Sequence, residues 1–258
     1  VLAIVILLSL GEFAPALALT FSVTPVRVFL SARDHSQTLT LRNESEHEIN
    51  FQLSAFAWDQ QPDGTMALTP TDDVIFFPVM LALQPGQERK VRVGSMVPAG
   101  PTEKTFRLFV EELAPVAKTA VAGNASVRFL TKVGLPIFVE PSELHEEGSV
   151  QNLKLENGVL SFEVANLGNV QFTIQSLLVK GLAQNARPAF SRETPGWYVL
   201  AHGTRRYELK IPQADCRKLD RVDVQVQKES GAFSGTFEVP PNSCGSATPS
   251  PAIQAQAF

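Results

Sequence analysis

Four histidines, two cysteines and a few adjacent carboxylates are the side chains of this sequence best equipped for chemistry, and their spacing decides which chemistry is open to them. His35, His47, His145 and His202 stand apart, with no His-x-His, no HExxH and no cysteine at ligand spacing, so no metal site is expected. Glu111-Glu112 and Asp72-Asp73 are sequence neighbours. On a strand such neighbours point to opposite faces, which makes them poor acid–base pairs. No GxSxG elbow, no GxGxxG turn and no GxxxxGK[ST] loop occurs. The reading is of a protein without catalytic residues, metal or cofactor. A formal net charge of -4 lacks the concentrated basic field that nucleic acid or an acidic membrane surface would need.

Two basic residues interrupt apolar strands. Arg27 follows "VTPV", and Lys132 sits inside "VRFLTKVGLPIFV". Each fits a solvent-facing position of an alternating strand, and each also fits an anion site in which guanidinium and ammonium groups hold a carboxylate through charge-assisted bonds. The cysteines, Cys216 and Cys244, lie in the last quarter of the chain. In an exported protein such a pair is expected to be a structural disulfide, since two ligands do not fill a tetrahedral zinc shell. Export is suggested by "VLAIVILLSL" followed by "GEFAPALA", which have the pattern of a signal-peptide core and its small-x-small cleavage site. A buried strand or a membrane anchor is the alternative. Residues 1–18 are read as the signal, with the mature chain starting near Leu19 and no stable membrane insertion.

The elements that must position these residues are strands almost throughout. "LTFSVTPVRVFL", "QTLTLRN", "EINFQLSAFAW", "VRVGSMV" and "TFRLFVEEL" are rich in β-branched and aromatic residues and are separated by turn signals such as Pro62-Asp63-Gly64 and Pro85-Gly86. After Glu140-Pro141 the rhythm restarts with "SVQNLKLEN", "GVLSFEVANLG" and "VQFTIQSLLVK". The fold class is therefore all-β, with two antiparallel β-sandwich domains over residues 19–140 and 141–245. Residues 246–258, rich in Ser, Pro and Ala, are expected to form a disordered tail. "NES" at Asn43 matches the glycosylation triplet, a pattern that is common by chance.

One strand is longer than a sandwich needs. In "ASVRFLTKVGLPIFVEP", residues 125–141, every second residue from Val127 to Val139 forms a nearly unbroken apolar face. Taken with "FSVTPVRVFL", "LTLRNES", "FAWDQQPDGTMALTPTDDVIFFPVMLALQPGQERKVRV" and "EKTFRLFVEELAP", this stretch resembles the N-terminal domain of the periplasmic pilus-assembly chaperones of chaperone/usher systems. The ordered set covers Phe21 to Pro141, and its "GLPIFVEP" ending is most similar to the archaic, Csu-type and spore-coat-like branch.

The resemblance implies two immunoglobulin-like domains set at an angle and no enzymatic activity. It implies pilus or fimbrial subunits and an outer-membrane usher as partners. The chaperone would lend its last N-domain strand to a subunit that lacks one, by β-augmentation. Val127, Phe129, Thr131 and Val133 would then fill the subunit groove, while Leu135, Ile137 and Val139 continue into the chaperone's own core. Arg27 matches the family arginine that anchors the subunit's C-terminal carboxylate. The family lysine falls at Pro136, four residues beyond Lys132 on the same face, so Lys132 is expected to substitute for it. Pro136 cannot donate a ladder bond, and pairing is expected to weaken there. An exposed apolar edge also opens a route to a self-capping dimer of the free protein. The other reading is a secreted two-domain immunoglobulin-like adhesion or ligand-binding module, since one fold hosts many functions.

Overall fold

The computed structural model describes residues 20–114 and 129–244. The export signal, the tail and the donor position Val127 lie outside the described residues.

The chain begins with β1 (Phe21–Thr24) and resumes as β2 (Val28–Leu30) in the opposite sheet. "FSVTPVRVFL" is thus two strands and not one. Pro25 follows a cis bond and has no N–H to give a ladder, so the chain leaves the first sheet there and crosses to the second. Arg27 stands in that crossing.

The first sheet has the order β1, β3 (Ser36–Asn43), β8 (Glu88–Ser95), β6 (Val74–Phe77). The second runs β2, β10 (Lys132–Val139), β9 (Lys104–Leu113), β4 (Ile49–Gln60), β5 (Met66–Pro70), with β7 (Met80–Leu83) also on β4. Alternate residues of the two sheets meet in one core that includes Phe21, Leu41, Phe51, Val91, Leu108 and Ile137. β2 pairs with β10 in parallel, Ile137 opposite Val28.

The second sandwich packs β11 (Gly148–Glu156), β12 (Val159–Asn166) and β16 (Thr204–Lys210) against β14 (Arg187–Pro195), β13 (Phe172–Ala183), β17 (Arg221–Lys228) and β18 (Gly231–Glu238). β15 (Tyr198–Val199) pairs with β13. Cys216, at the end of the short helix α1 (Gln213–Cys216), is bonded to Cys244, as the sequence led one to expect.

Both sandwiches use the same turn device. Asn43 donates to the carbonyls of His47 and Leu83 and accepts from the Ser45 N–H; Asn166 donates to those of Val170 and Val199 and accepts from the Gly168 N–H. Both asparagines are buried. A buried, fully bonded Asn43 leaves no room for a glycan, so its "NES" triplet is a turn and not a modification site.

The sandwiches are joined by aromatic packing. Trp58 and Phe138 of the first meet Tyr198 and Leu200 of the second. Around this cluster Gln60 Nε2 donates to Tyr198 O at 2.9 Å, and Asn169 bridges Pro101 O and Glu143 O, both at 2.8 Å.

Candidate functional site

β10 is the strand whose two edges differ. On one side β9 pairs with it from Lys132 to Val139; on the other, β2 covers it only from Ile137 onward. Among the described residues no strand pairs with the stretch from Lys132 to Pro136 on that second side. The Glu112 N–H bonds to Thr131 O, and the Glu140 N–H bonds to Leu30 O. Because the ladder alternates, odd residues of β10 direct their main chain at β9 and even ones at the open side. Lys132 therefore presents its main-chain groups to an incoming strand and Gly134 its N–H, the Gly134 carbonyl already accepting from Arg107 Nη1. The weakening expected at Pro136 does not occur on the β9 side, where pairing runs on through Pro136 opposite Arg107. Pro136 is an even residue, so its missing N–H falls on the open side.

The side chains follow the same alternation. Leu135, Ile137 and Val139 are buried in the first sandwich, and Val133 packs against its rim. Thr131 is half-buried, whereas Phe129 is 74% exposed and Leu130 48%. The apolar face thus emerges from the core as it is traced back toward Phe129.

Both predicted cations lie near this edge, each facing an acid of the protein. The guanidinium of Arg27 meets Glu229, between β17 and β18, at 3.1 Å and so bridges the two sandwiches. Lys132 Nζ lies 2.8 Å from a carboxylate oxygen of Glu111, its direct cross-strand partner, and 4.9 Å from the Phe109 ring centre.

Two further charged residues were not legible as site residues. Arg107, on β9, is only 5% exposed and stacks on Trp58, its Cζ 3.9 Å from the ring centre. Its Nη1 donates to Gly134 O at 3.2 Å, while Nε and Nη2 are buried with no acceptor among the described residues. Burial pushes its guanidinium pKa down. Glu103 is buried where the sandwiches meet and accepts from the Gln171 N–H at 3.0 Å. Desolvation, with a smaller contribution from neighbouring Glu140, raises its pKa to about 7 against the opposing effect of the Gln171 bond. Among the described residues no cluster of His, Cys, Asp or Glu is placed to hold a metal.

An open strand edge, an apolar face leading away from the core and nearby cations are the features that strand addition by another chain would use. Residues 20–145 match the family model "Pili and flagellar-assembly chaperone, PapD N-terminal domain". Residues 20–145 thus carry the N-terminal domain of the PapD-like pilus-assembly chaperones.

Solved structures share the two-domain fold. The class 5 fimbriae chaperone CfaA aligns at 11% identity over 85% of this chain and 99% of its own, with a TM-score of 0.56. A chain of the CsuC–CsuE chaperone–tip adhesion subunit complex from archaic Csu pili of Acinetobacter baumannii aligns at 18% over 86% and 98%, TM-score 0.57. One from the Salmonella enterica SafA pilin–SafB chaperone complex aligns at 14% over 87% and 99%, TM-score 0.51. No curated protein matches the sequence.

Proposed function

We propose that this periplasmic chaperone caps a pilus subunit by donating the open edge of β10 to it, and then delivers the subunit to an outer-membrane usher. The observation that carries the reading is the free edge from Lys132 to Pro136, continuous with an exposed Phe129. Main-chain bonds to that edge would give affinity, and Val127, Phe129, Thr131 and Val133 would enter the subunit's groove. Arg27 and Lys132 are proposed to anchor the subunit's carboxylate, exchanging Glu229 and Glu111 for it. The "GLPIFVEP" ending supports membership of the archaic branch.

An incomplete subunit exposes a hydrophobic groove and unpaired strands, both aggregation templates. Capping them needs no nucleotide, and release follows if the next subunit's strand pairs more tightly. The free chaperone has the same liability, and self-pairing of β10 edges would bury it in a dimer. Co-expression with a candidate fibre subunit tests the reading. A soluble one-to-one complex is expected, and a subunit equally soluble and monomeric without the chaperone would overturn it.

A further inference from the structure

We propose that the junction of the two sandwiches is a proton-operated latch: Glu103 reaches from the first sandwich to grip the second while its carboxyl is neutral, and lets go once it is ionised. The latch belongs to the free protein and does not depend on the strand-addition reading above.

Glu103 stands just before β9 and grips the loop between β12 and β13 twice. Its N–H donates to Asn169 O at 2.9 Å, and its carboxyl accepts from the Gln171 N–H at 3.0 Å. Asn169 ties the connection between the sandwiches to the same point, since its side chain donates to Pro101 O and Glu143 O and accepts from the His145 N–H. Two other contacts of the junction carry no titrating carboxyl. One is the aromatic cluster of Trp58, Phe138, Tyr198 and Leu200. The other is the hairpin from β4 to β5, where Pro62 O accepts from the Arg206 N–H and Gly64 lies against the Arg205 guanidinium.

Glu103 is only 8% exposed, and no ion pair to it occurs among the described residues. The charged and titratable groups about it are Glu140 at the end of β10, Lys104 next in the chain, and Glu143 and His145 beyond Asn169. His202 completes the set, its Nε2 lying 3.4 Å from Thr102 Oγ1. Burial penalises the Glu103 carboxylate and Glu140 adds like charge, which raises the pKa to about 7 against the Gln171 bond. The place is also short of donors, because Gln171 Oε1 is buried with none among the described residues. A protonated carboxyl both donates and accepts, whereas a carboxylate only accepts, so the neutral form suits the closed junction.

Parting the sandwiches returns Glu103 to water, where its ordinary pKa is 4.5. The closed form is therefore fully favoured below pH 4.5. Opening should become about tenfold more frequent with each pH unit up to 7, about 300-fold in all, and level off above it.

The test is amide hydrogen exchange on the full chain, followed residue by residue from pH 5 to pH 8 and corrected for the intrinsic exchange rate. The Glu103 and Gln171 amides report the latch, and those of the core residues Leu108 and Val224 report global unfolding. The latch amides should open at least about tenfold more often than the core ones, with a frequency that rises about tenfold per unit to pH 7. Protection equal to that of the core would mean that the sandwiches part only on unfolding, and overturns the latch. A more frequent opening that is flat with pH in wild type overturns the role of Glu103 without need of a variant. Glu103→Gln should hold the opening at its acid level throughout, and a slope that persists there overturns the assignment. His202→Gln and His145→Gln should keep the slope, and its loss in either would move the switch to that ring and refute Glu103.

Discussion

Arg27 and Glu229 form an exposed ion pair across the two sandwiches, side chains 36% and 53% accessible. Such pairs contribute about 0–1 kcal/mol, so Arg27→Glu should leave melting nearly unchanged. If Arg27 anchors a subunit, the same change should lower complex yield at least about tenfold in co-purification, since it replaces a buried charge-assisted bond by a repulsion. Glu229→Gln should act oppositely and strengthen capture, because it frees Arg27 from its resident acid. Both cationic candidates were visible in the sequence as charges interrupting apolar runs. Arg107 was not. In "TFRLFVEEL" it falls between Phe106 and Leu108, which face the core, and so looks like an ordinary outward charge. It is buried because Trp58, Trp197 and Tyr198 close over that face, and the last two come from the other sandwich.

At the scale of the strand, β10 has two halves with different debts to the fold. Phe129 is exposed, so Phe129→Asp should cost little stability while lowering subunit capture about 10- to 100-fold, the worth of one buried aromatic side chain. Val133 packs on the N-domain core, so Val133→Asp should lower both melting temperature and capture. Equal loss of melting in the two variants would show that Phe129 also belongs to the folded domain. Gly134 adds a constraint of its own. A Cβ there would meet Phe109 Cε1 at 2.8 Å, so the ring lies across the strand where a side chain would otherwise be. Of the long alternating pattern the part from Lys132 to Val139 is a strand, while Phe129 to Thr131 are not; β3, β4, β8 and β9 were legible as strands. The short strands β5, β6, β7 and most of β14 were not, because they lie at or near sheet edges and are half-exposed, so little burial imprints alternation on them.

For the molecule as a whole, the buried acid at the junction and the disulfide of the second sandwich are two stability contributions open to measurement. Glu103 has a folded pKa of about 7 against 4.5 unperturbed. A raised acid binds more protons folded than unfolded between those values, so its contribution is fully present below pH 4.5 and is lost as pH rises through 7. Melting should therefore fall by several degrees between pH 5 and pH 8, about 3 kcal/mol being at stake, and Glu103→Gln should flatten that dependence. An unchanged slope in the variant would assign the pH effect elsewhere. The Cys216–Cys244 bond closes a separation of 28 residues, and removing it with a Cys216→Ala, Cys244→Ala pair should destabilise the second sandwich by about 3 kcal/mol. Denaturation followed by domain-specific probes measures this directly.

The sequence by itself determined the all-β class, the restart of the strand rhythm after Pro141, the cysteine pair and the apolar alternation that ends the first domain, of which Lys132–Val139 is strand. Each of these is a local signal: period-two burial, turn residues, or a redox pairing between two side chains. Only the tertiary structure decided that Pro25 splits the first strand between sheets, that β2 covers half of one β10 edge, and that Arg107 lies buried beneath aromatic rings beside the other half. Which edge stays open, and which charge lacks a partner, depends on elements far apart in the chain, and no window of sequence contains both.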